Sequence, residues 1–188
     1  MRATIVYAHP WNKSFNHAIL EKAKETLTGR GDEVTVIDLY EDGFDPVMSE
    51  KDLELYMKGE SSDPLVARYN EILGRTEKII FIYPLWWYDM PAIMRGFLDK
   101  VLLCGSSYLE DNGMIPLRKI QHTTILTTSS TPTDLLVSAF GDPINGTMIK
   151  GTFESVGFFN AKWHNYGAIG NAKREETEAY LAKIPELI

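Results

Sequence analysis

Five short β-rich runs, Ala3–Tyr7, Glu33–Leu39, Lys78–Tyr83, His122–Thr128 and Phe158–Tyr166, are separated by stretches that mostly carry apolar residues at helical spacing. Strands that alternate with helices predict a parallel sheet with helices packed on both faces. The expectation is therefore an α/β fold over one domain, 1–188: a doubly wound five-stranded parallel sheet with strand order 2-1-3-4-5. In that order the loops after the first and third strands flank the point where the winding reverses, which is where open α/β sheets bind ligands.

The helices have readable ends. Phe15, Ala18, Ile19, Ala23 and Leu27 define the first, and Gly29 and Gly31 stop it. Ser49 with Asp52 three residues on opens a short helix to about Lys58, and Asp63-Pro64 opens another that closes at Gly74. Pro91 opens the clearest helix, with Ile93, Met94, Phe97, Leu98, Val101 and Leu102 on one face and Gly105 at its end. Asp142-Pro143 starts a segment with a buried stripe through Ile144, Met148, Ile149, Phe153 and Val156, and Lys173–Ile184 closes the chain as an exposed amphipathic helix. The connection through Tyr40, Gly43, Phe44 and Pro46 is expected at the surface, Ser106–Arg118 as a loop, and Thr131–Asp134 as a rigid turn.

Composition narrows the function. A chain of 188 residues with 44% hydrophobic and 24% charged residues is an ordinary globular composition, which argues against disorder. A formal net charge of −7 repels polyphosphate and anionic lipid, so neither nucleic acid nor a membrane is an expected partner. The apolar stretch Ala3–Ala8 is short for a signal peptide, and no apolar run approaches the roughly 20 residues of a membrane helix. Cys104 is alone, so no intramolecular disulfide can form; the thiol is expected to be buried and unreactive, and the cytoplasm is the expected compartment. His9, His17, His122 and His164 are scattered without the spacing of metal ligands, and no metal site is expected.

Three segments stand out at strand ends. Pro84-Leu85-Trp86-Trp87-Tyr88 puts three consecutive aromatics where a buried strand yields to a surface turn, a wall suited to a flat ring. His9 to Asn16 leads into the first helix, where Ser14, Phe15 and Asn16 offer a hydroxyl, a carboxamide and free first-turn amides to an anion. Thr127-Thr128-Ser129-Ser130 ends the fourth strand with hydroxyls and amides able to meet a pyrimidine edge. Each has a plainer alternative: a hydrophobic cover or dimer contact, a helix cap, and a Ser/Thr turn. A planar ring joined to a phosphate describes a flavin nucleotide. Neither G-x-G-x-x-G nor G-x-x-x-x-G-K is present, which weakens the case for a nucleoside triphosphate or a dinucleotide bound in the usual Rossmann manner.

Taken together, Ala8-His9-Pro10 with Ser14-Phe15-Asn16, Asp38-Leu39-Tyr40 with Phe44-Asp45-Pro46, Pro84 to Tyr88, Met90 to Phe97, and Thr127-Thr128 resemble the NAD(P)H:quinone oxidoreductase family of flavodoxin-like flavoproteins over nearly the whole chain. The resemblance implies a non-covalent flavin, FAD with FMN as the alternative. It places His9, Ser14, Phe15 and Asn16 near the ribityl phosphate, Pro84, Leu85, Trp86, Trp87 and Tyr88 against the isoalloxazine, and Thr127, Thr128, Ser129 and Ser130 beside its pyrimidine edge. It also implies NAD(P)H as electron donor, a quinone or similar electrophile as acceptor in a two-electron ping-pong reaction, and a homodimer whose second subunit helps build the substrate pocket. Many relatives carry paired glycines where this chain has Ser129-Ser130, and no side chain stands out as a catalytic acid or base. Two other readings stay open: a flavodoxin-type single-electron carrier, and a flavin-binding regulatory subunit with Trp11 and Trp86 as protein anchors.

Overall fold

The computed structural model describes residues 1–188. Its strands are β1 (Arg2–Tyr7), β2 (Glu33–Asp38), β3 (Lys78–Pro84), β4 (Tyr108–Glu110), β5 (Met114–Pro116), β6 (His122–Thr128) and β7 (Lys162–Tyr166). Its α-helices are α1 (Phe15–Gly29), α2 (Glu50–Tyr56), α3 (Pro64–Gly74), α4 (Ala92–Val101), α5 (Thr133–Ala139), α6 (Glu154–Val156) and α7 (Arg174–Leu187), with a π-helical run Ile144–Phe153 leading into α6. The main sheet is parallel throughout, in the order β2-β1-β3-β6-β7. Counting only its own strands, that is the expected 2-1-3-4-5 of a flavodoxin-like α/β fold.

Alternation along the strands divides the core between the two faces of the sheet. Ile79, Phe81 and Tyr83 of β3 join Val6 of β1 and Ile125 of β6 in the larger cluster, packed under α3, α4 and the π-helical run. Ile80 and Ile82 join Ala3, Ile5 and Tyr7 in the smaller one, where Ile19, Leu20, Ala23 and Leu27 of α1 and Ile184 of α7 complete the packing. Burial on both faces explains why these strands read as continuous apolar runs. α7 is less exposed than its polar sequence suggested, because Ile184 is fully buried and the helix lies against α1.

Four segments differ from their sequence patterns. The Tyr40–Pro46 connection runs over the surface as expected except at Phe44, which is only 3% exposed and packs between Tyr69 and Phe97. Ser106–Arg118 holds the β4–β5 hairpin, whose three-residue strands are too short to register as a pattern. Thr131-Pro132 leads into α5, where Leu136 alone is buried, so no apolar stripe announced a helix. The last strand begins at Lys162, because Phe158 makes only an isolated bridge to Ile120.

Gly157 makes that bridge possible. Its φ is +88°, and a Cβ there would lie 1.7 Å from the Arg118 carbonyl oxygen. Left-handed backbone costs a non-glycine residue about 1–2 kcal/mol, and forcing atoms into a packed site costs about 1–3 kcal/mol more. Gly157→Ala is therefore expected to lose roughly 3 kcal/mol of stability in urea unfolding; a loss below about 1 kcal/mol would show that the chain relaxes around the contact.

Candidate functional site

The loops leaving β1, β3 and β6 meet at one edge of the sheet. They line two adjoining hollows. One, of about 240 Å³, is bounded by His9, Trp11, Ser14, Phe15, Asn16, Pro84, Leu85, Trp86, Thr128, Ser129, Ser130 and Ile169. The other, of about 380 Å³, is bounded by Leu85, Trp86, Trp87, Tyr88, Ser129, Ser130, Thr131 and Leu136. Leu85, Trp86, Ser129 and Ser130 belong to both, so the two form one continuous crevice.

At the phosphate end, Ser14 caps α1 by accepting from the His17 amide at 3.1 Å. The cap uses one lone pair of the hydroxyl, while the amides of Phe15 and Asn16 find no partner within the chain. Unpaired first-turn amides and the positive end of a 15-residue helix suit a phosphate. Asn16 is buried and donates from Nδ2 to the Thr128 hydroxyl at 2.8 Å, which ties the start of α1 to the end of β6. Its Oδ1 has no partner. His9 accepts from the Trp11 amide on Nδ1 at 3.1 Å. That bond assigns the ring proton to Nε2. Burial lowers the His9 pKa, so the ring is a neutral donor at neutral pH.

The aromatic loop is a strained two-residue turn. Trp86 and Asp89 exchange backbone hydrogen bonds at 2.9 and 3.2 Å, and the two residues between them are both left-handed, with φ of 52° at Trp87 and 68° at Tyr88. Such a turn ordinarily takes Asn-Gly, and each bulky residue held there costs about 1–2 kcal/mol. The strain leaves Trp87 94% exposed and the Trp87 and Tyr88 amides free of partners. Tyr88 stacks on Phe140, with ring centroids 4.3 Å apart and planes at 23°.

At the β6 end the hydroxyls have separate roles. Thr127 is fully buried and borders neither hollow; its Oγ1 accepts from Trp163 Nε1 and donates to Asn165 Oδ1, both at 2.8 Å. The sequence grouped it with the pocket because strand alternation at a sheet end is hard to phase. Thr128, Ser129 and Ser130 border the crevice, and the amides of Ser130 and Thr131 are unpaired. Thr131, Leu136 and Ile169 also line the crevice. Thr131 had been noted as a rigid turn near the pocket, whereas Leu136 and Ile169 carried no local signal.

A larger open hollow of about 660 Å³ lies across the His9–Asn12 segment, over β1 and β2. Glu21, Asp38 and Glu41 line it, against Lys24, whose ammonium pairs with Glu21 at 2.8 Å. That balance disfavours a phosphate, so the helix-start crevice is the better anion site despite its smaller volume.

Similarity to known proteins agrees with the geometry. The family model described as "Flavodoxin-like fold" matches residues 1–188. An uncharacterised NAD(P)H oxidoreductase of Haemophilus influenzae is 30% identical over 172 residues, covering 90% of this chain and 85% of that protein. The rat NAD(P)H dehydrogenase [quinone] 1 is 35% identical over 124 residues, which span 57% of this chain and only 45% of that protein. The solved NAD(P)H:quinone oxidoreductase from Methanothermobacter marburgensis superposes with a TM-score of 0.83 at 27% identity, covering 99% of this chain and 94% of that one. The chain belongs to the flavodoxin-like family, and within it to the NAD(P)H oxidoreductases.

Proposed function

We propose that the protein is a flavin-dependent NAD(P)H oxidoreductase that reduces quinones or similar electrophiles by two electrons. The observation that carries this is the single crevice formed by three loops far apart in sequence, with unpaired amides at the start of α1, at Trp87-Tyr88 and at Ser130-Thr131. A bound flavin would supply the hydride chemistry that links NAD(P)H to the acceptor. The chain's own residues hold and orient it. Phe15 and Asn16 offer amides to the phosphate, His9 offers its Nε2 proton, Leu85 and Trp86 border the ring region, and the Trp87, Tyr88, Ser130 and Thr131 amides suit the carbonyl oxygens and nitrogens of the ring. His9 and Tyr88 are the ionisable side chains that border the crevice, and the proton that completes reduction of a quinone can come from solvent.

FAD is the favoured cofactor, with FMN the alternative. Supporting a second ring, Phe15 clusters with Tyr166 and Tyr180 at centroid distances of 5.2 and 6.0 Å beside the Ile169 end of the crevice. A homodimer is the expected assembly: the 94% exposed Trp87 and the exposed Leu109, Met114 and Ile115 of the β4–β5 hairpin are surface that a second protomer would cover. The cytoplasm remains the proposed compartment, in keeping with a single, buried free cysteine, and no helix is long and apolar enough to cross a membrane.

Purified protein is expected to be yellow and to consume NAD(P)H only when a quinone is present. A stable one-electron form without direct NAD(P)H oxidation would instead identify a carrier. Trp87→Ala is expected to weaken flavin retention about tenfold, the scale of a lost ring contact of roughly 1–1.5 kcal/mol. Unchanged retention in a fluorescence titration would remove that ring from the site.

A further inference from the structure

Behind the Ser129–Thr131 turn lies a side-chain node centred on Asn165, a half-buried residue that borders neither hollow of the crevice. Asn165 of β7 sits opposite Thr127 in the parallel register. Its Oδ1 accepts from Thr127 Oγ1 at 2.8 Å, and its Nδ2 donates to Ser129 Oγ at 2.8 Å and to Thr133 Oγ1 at 2.9 Å. Ser129 Oγ in turn donates to the Thr131 carbonyl at 2.6 Å, and the Ser129 amide donates to the Tyr166 carbonyl at 3.0 Å. One carboxamide thus joins the end of β6, the turn and the start of α5. Gly167, two residues on, packs against the same turn: a Cβ there would fall 2.8 Å from the Thr133 nitrogen and 3.0 Å from the Thr131 oxygen.

The Ser129 hydroxyl is therefore engaged inside the protein, accepting from Asn165 and donating to Thr131. What the turn leaves unpaired at the crevice is backbone, the amides of Ser130 and Thr131. We propose that Asn165 is a positioning residue: it fixes the Ser129–Thr131 turn so that those two amides are held ready for the ring of the bound flavin. The role rests on the flavin assignment above, and the Ser129 hydroxyl anchors the turn through its two bonds to Asn165 and Thr131.

Preorganised donors stabilise charge as it develops, so the loss of Asn165 affects the reduced, more electron-rich cofactor more than the oxidised one. The test uses a graded pair of variants of the full chain. Thr133→Ala removes one arm of the node, and Asn165→Ala removes every arm. Flavin affinity by fluorescence titration, flavin midpoint potential by redox titration, and hydrogen exchange in the flavin-free protein at the Ser129 amide, the one amide of the turn that is bonded within the chain, are read for each. The expected result is faster exchange at the turn, a weakening of oxidised-flavin binding by about tenfold for Asn165→Ala, and a midpoint potential moved to more negative values, with Thr133→Ala intermediate in all three. Should the variants fold, exchange faster at the turn and yet keep the wild-type potential, Asn165 is a structural residue only and the proposal fails. If Asn165→Ala does not fold, Thr133→Ala decides on the same readouts. A wild-type protein that binds neither FAD nor FMN overturns the flavin assignment itself, an outcome separate from any difference between variants.

Discussion

Ser130→Trp is expected to leave the protein folded while weakening its hold on flavin by one to two orders of magnitude. Ser130 is exposed and borders both hollows of the crevice, so an indole there fills space at the junction without entering the core. Overpacking a closely fitted site costs about 1–3 kcal/mol, and at about 1.4 kcal/mol per factor of ten the loss of flavin affinity is roughly 10- to 100-fold. NAD(P)H-dependent quinone reduction should fall in step at limiting flavin, while the unfolding midpoint of the flavin-free protein stays near the wild-type value. A variant that binds flavin as the wild type does would mean that the cofactor sits elsewhere.

The second large effect concerns stability. Lys100 on α4 is 4% exposed, and its ammonium donates to the Asp45 carbonyl at 2.9 Å and to Asp63 Oδ2 at 3.1 Å, lies 3.9 Å from Asp52 Oδ2, and stands 5.3 Å from the centre of the Phe44 ring. These contacts hold the Tyr40–Asp63 region against α4. Lys100→Met keeps most of the volume but leaves two largely buried carboxylates without their cation, a change that costs about 3–5 kcal/mol. Burial alone would raise the Asp52 pKa, yet hydrogen bonds from Ser49 and Ser62 and the nearby Lys100 outweigh it and lower it. A carboxylate with a lowered native pKa contributes its full stability above the ordinary carboxylate range and loses it as pH falls through the native value. The gap between wild type and Lys100→Met in urea unfolding should therefore be widest near neutral pH and narrow in acid. A gap independent of pH would assign the effect to packing.

The sheet was legible because every central strand is buried on both faces and every crossover carries a helix with a stop signal, as at Gly31 and Gly74. The site was legible for a different reason. Aromatic residues at the end of β3 and a Ser-Phe-Asn start to α1 are unusual at surface turns, and the sheet order brings the two together. What escaped was built from long-range contacts. Lys100 reads as a solvent-facing lysine until Asp45, Asp52 and Asp63 fold against it, and Phe44 lies in an acidic, broken segment whose burial depends on Tyr69 and Phe97. Thr127 and Asn165, 38 residues apart, form their bond only through the β6–β7 register. The left-handed turn at Trp87-Tyr88 went unread because its sequence lacks the glycine or asparagine that usually marks one.

Hydrogen exchange of the purified protein with and without added flavin addresses the three-loop crevice most directly. Flavin is expected to slow exchange together at the first-turn amides Phe15 and Asn16, at Trp87-Tyr88 and at Ser130-Thr131, with little change around the acidic hollow over β1 and β2. Protection confined to one of these loops, or centred on Asp38 and Glu41, would contradict a single site built from all three.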